Sequence, residues 1–268
     1  MVSFPNAKIN LGLNITSKRI DGYHNIASCF YPIPWHDILE IIPSEKLKFT
    51  NSGISIPGNI EDNLCLKAFH LLKKEYDIPN VHIHLHKIIP IGAGLGGGSS
   101  DAAFTLKTLN KKFKLRIDNQ HLEYYAAQLG SDCPFFIKNS PILATETGTT
   151  FSPVSVELSK KFLIVMKPDI HISTAEAYVG VTPKPLKPTV KDIIENSPIT
   201  KWRDLLHNDF EDSIFPNHPE IESIKKELYK KGASFASMTG SGSAVYGIFE
   251  EAINTKTFNN SMLYSAYL

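Results

Sequence analysis

Apolar and polar residues alternate in two stretches of this chain, and each stretch predicts a strand. In residues 7–16, AKINLGLNIT, the apolar side chains fall on one face, while Lys8 and Asn10 point together from the other face. Residues 81–89, VHIHLHKII, alternate in the same way. A period of two is typical of a strand that is buried on one side. The polar face of the first strand is therefore either solvated or turned toward a cleft.

Several side chains that often cap helices stand directly before runs of apolar residues at helical spacing. The predicted caps are, in chain order, Asp62 or Asn63, Ser99 or Ser100, Asp118 and Ser173. Each precedes a run with apolar residues at helical spacing. Further helical runs lie around residues 201–206 and 220–230, and residues 234–249 predict two strands joined by a glycine-rich turn. The chain therefore mixes strands and helices.

A change of composition near residue 158 predicts a boundary between two domains. Residues 1–157 would form an N-terminal lobe and residues 158–268 a C-terminal lobe. The last residues would either stay in the C-terminal lobe or return to the N-terminal lobe.

Composition and charge restrict the classes of function that the chain can serve. Of its 268 residues 42% are hydrophobic and 21% are charged, and the net charge is +1. These values are typical of a soluble globular protein without general affinity for nucleic acid or membrane. The three cysteines are far apart and match neither a disulfide framework nor a zinc spacing. With no signal peptide and no apolar run that could span a bilayer, we expect a cytoplasmic protein.

Residues 90–103, PIGAGLGGGSSDAA, carry the strongest chemical signal in the chain. They lie between a predicted strand and a predicted helix. Glycine-rich backbone at a helix start exposes N–H groups, and the helix dipole adds positive potential, so phosphate binds there. A flexible hinge or an ordinary turn is the alternative.

Two well-known nucleotide motifs do not explain this stretch. Gly92, Gly94 and Gly97 match G-x-G-x-x-G, but a helix follows where the dinucleotide fold requires a strand with an acidic end. The P-loop pattern fails because Gly98 occupies the lysine position. The stretch can therefore hold phosphate, but the cation that neutralises transferring charge must come from elsewhere.

Four other features each allow a functional and a structural interpretation. Asp132, on the turn before Cys133, is either a general base or a carboxylate that stabilises the turn. Tyr23 and His24 either bind a base or wedge a hairpin. Residues 239–243 either approach a phosphate or form a hairpin turn. Three histidines at alternate positions of the second strand, His82, His84 and His86, suggest a metal site, but we expect an exposed polar face.

Three segments in order resemble the motifs of the GHMP small-molecule kinases. They are AKINLGLNI with RIDGYHNI, the glycine-rich PIGAGLGGGSSDAA, and MTGSGSAVYGIF near the C-terminus. The resemblance implies an α+β fold of two lobes, with the active site in the cleft between them. It also implies ATP-dependent transfer of a phosphoryl group to an alcohol. The D-G-Y-H sequence, together with GSDCPFF, narrows it to the members whose substrate carries a cytidine diphosphate moiety.

For that branch, the accepting group is the 2-hydroxyl of a methylerythritol unit in isoprenoid precursor biosynthesis. The resemblance assigns Asp132 as catalytic base and Lys8 as the cation beside it. Implied ATP-binding residues are Asn63, Lys87, Pro90, Gly92, Gly94, Leu95, Gly96, Gly97, Gly98, Ser99 and Ser100. Implied substrate-binding residues are Asn10, Tyr23, His24, Tyr178, Thr239 and Gly240. Mg²⁺ would accompany ATP, bound mainly by phosphates and water, with Ser99 or Ser100 as a possible ligand.

Other functions compete with this one. A GHMP kinase for homoserine or mevalonate would keep the glycine-rich stretch but has no need of D-G-Y-H. A nucleotide-binding relative without catalysis would have lost Lys8 or Asp132, and both are present. An RNA-binding domain is disfavoured by the near-neutral charge. We expect a monomer or a weak homodimer.

Overall fold

The computed structural model of the chain describes residues 1–258 and 262–268. Its strands are β1 Val2–Ser3, β2 Asn6–Lys18, β3 His24–His36, β4 Ile38–Pro43, β5 Lys48–Gly53, β6 Val81–Lys87, β7 Ile142–Glu146, β8 Thr150–Pro153, β9 Phe162–Met166, β10 Phe235–Met238, β11 Val245–Phe249 and β12 Met262–Tyr267. Its helices are α1 Leu64–Glu75, α2 Gly97–Phe113, α3 Asn119–Ala127, α4 Phe135–Lys138, α5 Thr174–Tyr178, α6 Val190–Asn196, α7 Ile199–Leu205, α8 Phe210–Ile214 and α9 Pro219–Lys230.

The described residues form two compact units that interleave along the chain. The first unit contains residues 1–7, 35–91 and 96–140, and the second contains residues 8–34, 92–95 and 141–268. The composition predicts one boundary near residue 158, whereas the chain passes between these two units several times. The reason is that β2, β3 and the glycine-rich stretch each belong partly to both units. No local change of composition reveals such crossings.

In the first unit, a four-stranded sheet has the order β1-β4-β6-β5. Strand β5 runs parallel to β6, and the other pairs are antiparallel. Asn63 caps α1 by accepting a hydrogen bond from the N–H of Cys65, and Asp118 caps α3 by accepting one from His121. The predicted strand β6 and these two predicted caps are therefore confirmed.

The polar face of β6 is hydrogen-bonded to its neighbour β5. Thr50 Oγ1 lies 2.8 Å from both His82 Nε2 and His84 Nδ1. Ser52 Oγ lies 3.0 Å from His84 Nε2 and 2.9 Å from His86 Nδ1. The face is polar as predicted, but it is half-buried rather than exposed. Within the described part of the chain, no group of three or more His, Cys, Asp or Glu side chains could hold a metal ion.

The second unit is built mainly on two four-stranded sheets, with the orders β2-β3-β7-β8 and β10-β11-β9-β12. Strands β10 and β11 form the antiparallel pair predicted for residues 234–249. Strand β12 pairs with β9, so the last residues stay with this unit. Ile164, Leu228 and Val245 lie in the buried core beside these strands.

Both faces of β2 are buried, which corrects the prediction of a half-buried strand. All residues from 6 to 15 are buried, and Lys8 and Asn10 are only 3% and 1% exposed. The reason is that polar side chains of the second unit cover the polar face and hydrogen-bond to it. Alternation reports which positions are apolar, but it does not report whether the polar face meets water or other polar groups.

Two further properties of the described residues bear on function. None of the helices within residues 1–258 and 262–268 is both long and apolar enough to cross a membrane. The three cysteines are free and buried, and burial raises the pKa of the Cys29 and Cys133 thiols to about 12. These two side chains are therefore neutral thiols near pH 7 and poor nucleophiles.

In the second unit, two glycine-rich turns cross with their backbones in contact. A Cβ on Gly94, whose φ is +79°, would lie 1.8 Å from the carbonyl oxygen of Thr239. A Cβ on Gly242 would lie 2.2 Å from the carbonyl carbon of Ala93. The N–H of Ala244 also donates a hydrogen bond of 3.3 Å to the carbonyl of Ala93. Glycine is required at both positions because no side chain fits between the two backbones.

In the first unit, a buried triad of charges lies under the start of α2. The Lys87 ammonium donates hydrogen bonds of 2.5 Å to Asp37 and 2.8 Å to Asp101. Asp37 also accepts the N–H groups of Ile88 and Ile89. Burial raises the pKa of Asp101, and the nearby Asp37 carboxylate acts in the same direction, although Lys87 opposes it. Burial alone would lower the pKa of Lys87, but the two carboxylates outweigh burial and raise it.

We expect Gly94→Ala to lower the free energy of unfolding by at least about 2 kcal/mol, because alanine resists positive φ and its Cβ must displace the Thr239 carbonyl. Gly98→Ala is the matched control, since the nearest atom to its Cβ is 4.0 Å away. That change should be neutral or slightly stabilising inside a helix. Urea unfolding of both variants measures the difference. Equal stabilities would contradict the proposed backbone crossing.

Removing the lysine of this triad should destabilise the fold more than removing one of its carboxylate charges. Lys87→Met should destabilise the fold by about 3–5 kcal/mol, because it leaves buried carboxylates without their cation. Asp101→Asn should cost less, because it keeps a hydrogen-bond acceptor and removes the excess negative charge.

The pH dependence of Asp101→Asn follows from the raised pKa of Asp101. The folded state holds this proton at pH values where the unfolded chain has lost it. The contribution of Asp101 to stability therefore falls as the pH rises from about 4 toward neutral. We expect the variant to gain stability relative to the wild type over that range, measured by urea unfolding at several pH values. A constant difference would mean that Asp101 does not titrate there.

Candidate active site

The glycine-rich stretch leads directly into α2, which begins earlier than we predicted. Gly96 occupies the N-cap position with a φ of 70°, so the prediction that Ser99 or Ser100 caps the helix is wrong. Glycine turns the chain here at no steric cost, and the helix starts at once. The first helical hydrogen bond runs from the N–H of Ser100 to the carbonyl of Gly96. The N–H groups of residues 97–99 therefore have no carbonyl partner inside the helix.

Ser100 adds a buried hydroxyl to this helix start. The side chain is fully buried, and its Oγ has no hydrogen-bond partner among the described residues. Such an orphaned group costs about 1–3 kcal/mol, which an oxygen of a ligand would recover. Unpaired N–H groups, the positive end of the helix dipole and this hydroxyl together suit an anion such as phosphate.

Asp132 lies in the turn between α3 and α4, where it is half-buried. The next residue, Cys133, has its thiol within hydrogen-bonding reach of Ser99. The apolar residues that follow, Phe135 and Phe136, are buried and anchor the turn. The first unit thus brings the predicted base and the predicted phosphate-binding serines into the same neighbourhood.

In the second unit, Lys8 is held by the side chain of Asn10. The Lys8 ammonium donates a hydrogen bond of 2.7 Å to Asn10 Oδ1 and lies 4.9 Å from the centre of the Phe30 ring. Thr239 Oγ1 accepts a hydrogen bond of 3.2 Å from the backbone N–H of Asn10. The same hydroxyl donates one of 3.1 Å to the carbonyl of Gly94. The predicted residues Lys8, Asn10, Gly94 and Thr239 therefore form one connected group.

His24 and Tyr178 lie against each other on the same unit. Their ring centres are 4.8 Å apart, and the planes differ by 18°, which is a stacked arrangement. Phe210 meets the Tyr178 ring edge-on at 4.9 Å and supports it. Tyr23, next to His24, is 69% exposed. An imidazole and a phenol in one stack offer both flat apolar faces and polar ring edges to a planar ligand.

The remaining predicted site residues have structural contacts of their own. Asn63 caps α1, and Lys87 belongs to the buried triad, where a Cβ on Gly97 would lie 2.8 Å from its ammonium. The carbonyl of Leu95 accepts the N–H of Lys8 at 2.9 Å. Gly92 lies against the imidazole of His171. Pro90 and Gly240 are half-buried. Direct contact of these residues with ATP or substrate stays a prediction.

Sequence reasoning missed three polar residues that hold predicted site residues in place within each unit: Ser28, Asp37 and Asp101. Ser28 accepts a hydrogen bond from Asn10, and the two aspartates bind Lys87. Asp101 follows the two serines directly and could have been suspected from its position in a buried helix start. Ser28 and Asp37 lie in ordinary strand-like sequence and carry no local signal.

Two family models and a full-length relative match this chain. The family model described as the GHMP kinases N terminal domain matches residues 63–139, and the model described as GHMP kinases C terminal matches residues 182–260. A protein of Cytophaga hutchinsonii named 4-diphosphocytidyl-2-C-methyl-D-erythritol kinase is 53% identical over 266 residues, which cover 99% of this chain and 98% of that protein.

Two solved structures match this chain at different levels of sequence identity. A crystal structure of 4-(cytidine 5'-diphospho)-2C-methyl-D-erythritol kinase has a TM-score of 0.78 and 29% identity, and covers 94% of this chain and 91% of its own. The mevalonate kinase of Methanococcus jannaschii has a TM-score of 0.69 at 16% identity, with 93% and 90% covered, and shows only that the fold is shared. By its matching domains, its full-length relatives and its fold, this chain belongs to the GHMP kinase family.

Proposed function

We propose that this chain transfers the γ-phosphoryl group of ATP to the 2-hydroxyl of 4-diphosphocytidyl-2-C-methyl-D-erythritol, a step of non-mevalonate isoprenoid precursor biosynthesis. The observation that carries the proposal is the 53% identity, along nearly the whole length of both chains, to a protein named for that substrate. The contacts described above give each step of the reaction a suitable group.

The start of α2 would bind the phosphates of ATP. Unpaired N–H groups, the helix dipole and the orphaned Ser100 hydroxyl all favour negative oxygens there. Mg²⁺ would be held mainly by phosphate and water oxygens, and the hydroxyl of Ser99 or Ser100 would be an additional ligand. When bound, it would neutralise charge on the transferring group. Asn63, Lys87 and residues 90–98 are the other ATP-binding candidates.

Asp132 would act as the general base that takes the proton from the substrate hydroxyl. Phosphoryl transfer depends mainly on positioning and on stabilising charge, so one carboxylate that orients and deprotonates an alcohol is sufficient. Lys8, whose ammonium donates a hydrogen bond to Asn10, would supply positive charge to the oxygens of the reacting groups.

The cytosine ring would bind at His24 and Tyr178. The ring nitrogens of His24 can hydrogen-bond to the polar edge of the base, and Tyr178 offers a flat face for stacking. Asn10, Tyr23, Thr239 and Gly240 are further candidates for contact with the substrate. A cytoplasmic location and a monomeric or weakly dimeric state remain predictions.

A kinase for homoserine or mevalonate is the main alternative, and a nucleotide-binding protein without catalysis is the second. The most direct test is an ADP-release assay of the purified protein with ATP, Mg²⁺ and each of the three alcohols. We expect turnover with the cytidyl diphosphate substrate and little with homoserine or mevalonate. The opposite preference would overturn the proposed substrate, and no turnover with any of them would favour the non-catalytic alternative.

Asp132→Asn should keep ATP binding and reduce kcat by at least about a hundredfold, the usual contribution of a general base. Binding is measured by calorimetry and turnover by ADP release. Asp118→Asn is the matched control. Asp118 also lies directly before a helix, where it is the N-cap, and asparagine caps a helix equally well. Turnover of Asp132→Asn close to that of the control would falsify the assignment of the base.

His24→Ala should weaken binding of CMP by about tenfold or more, because it removes a stacked ring and a polar edge at once. ATP binding should stay unchanged. His121→Ala serves as the control, since that imidazole is exposed at the start of α3. If both variants bind CMP as the wild type does, the cytosine site must lie elsewhere.

A further inference from the structure

Ser28 lies on β3 with its side chain turned toward the polar face of β2. It is fully buried. Its hydroxyl donates a hydrogen bond of 2.6 Å to the carbonyl of Gly12, and it accepts one of 2.8 Å from Asn10 Nδ2. We propose that Ser28 is a positioning residue for phosphoryl transfer, because it fixes the Asn10 amide and thereby the Lys8 ammonium. This inference rests on the proposed function of Lys8.

The hydrogen-bond donors and acceptors allow only one orientation of the Asn10 amide. A hydroxyl has a single proton. Ser28 donates it to the carbonyl of Gly12, so the same hydroxyl can only accept a hydrogen bond from Asn10. The nitrogen of the amide must therefore face Ser28. An ammonium has donors and no acceptor, so the oxygen of the amide must face Lys8, at 2.7 Å. The hydrogen bonds to Ser28 and to Lys8 therefore require the same orientation of the amide. A reversed amide would place its N–H donors against the N–H donors of Lys8.

The anchoring role belongs to Ser28 rather than to the lysine. Lys8 reaches Asn10 through a long and flexible side chain, whereas Ser28 is short and is tied to the β2 backbone at Gly12. Gly12 has a φ of +67°, which turns its carbonyl out of the regular strand pattern. Without the Ser28 hydroxyl, the amide could rotate toward Thr239, whose Oγ1 already lies 3.2 Å from Asn10 Oδ1. The acceptor for Lys8 would then lose its fixed position.

A purely structural role for Ser28 makes different predictions. In that case the hydroxyl serves only to satisfy the carbonyl of Gly12, and its removal lowers stability without changing the turnover of the folded molecules. Removing a positioning group instead lowers kcat, because a small displacement of a catalytic group slows the chemical step strongly. The KM values for ATP and for the cytidyl diphosphate substrate would change little.

The experiment compares Ser28→Ala, Ser28→Thr and the wild type by steady-state kinetics with ATP and the cytidyl diphosphate substrate, at temperatures where each variant is fully folded. We expect kcat of Ser28→Ala to fall by at least about tenfold with KM nearly unchanged. Ser28→Thr, which keeps the hydroxyl, should recover most of the activity. Ser237→Ala is the control, because it removes another buried hydroxyl of the second unit, one bonded to Glu211. It should leave kcat unchanged.

A second measurement isolates the orientation of the amide. In Asn10→Asp the two oxygens are equivalent, so there is no orientation left to fix. Ser28→Ala should then cost much less kcat in the Asn10→Asp background than in the wild type. An equal cost in both backgrounds, or an unchanged kcat in Ser28→Ala, would overturn the inference. Absence of wild-type turnover on this substrate would instead count against the proposed function, so the two failures are distinguishable.

Discussion

The backbone of Gly94 and the carbonyl of Thr239 are so close that a single carbon atom cannot be added between them. This contact joins two turns that are almost 150 residues apart in sequence. It also determines where the neighbouring polar groups lie. Thr239 carries the hydroxyl that accepts the N–H of Asn10, and the residue after Gly94 accepts the N–H of Lys8. The glycines at the crossing therefore have a packing function, apart from any role in binding phosphate, and the position of Lys8 depends on them.

Two buried lysines have partners that are themselves held by further hydrogen bonds. Lys87 is bound by two carboxylates, which cancel its charge and leave the cluster negative when all three groups are ionised. Such a lysine stabilises the start of α2 but adds little positive potential for a ligand. Lys8 donates a hydrogen bond to Asn10 Oδ1, and the nitrogen of the same amide donates one to the Ser28 hydroxyl. The amide that contacts Lys8 is therefore itself anchored by the neighbouring strand β3.

The sequence predicted the elements whose signals are local. Alternation located β2 and β6, and the caps Asn63 and Asp118 gave the starts of α1 and α3. The resemblance of three motifs identified the family, because these motifs contain several glycines and polar residues at fixed spacing. The burial of Lys8 and Asn10 was missed, because alternation does not reveal what covers a polar face. Asp37 was missed for a similar reason, since its partner Lys87 is 50 residues away and no pattern links the two.

The comparisons separate what the fold determines from what it leaves open. A mevalonate kinase shares the fold at 16% identity, so the arrangement of sheets and helices does not by itself choose an alcohol. In the proposed function, the groups around Lys8 and the start of α2 would handle phosphate and charge, which every kinase of this kind must do. Discrimination must then come from side chains that reach the substrate away from the reacting atoms. In the proposed function, the stacked pair of His24 and Tyr178 would meet that requirement, because it is half-buried, is supported by Phe210, and has a flat face and polar edges that suit a base better than a small aliphatic alcohol.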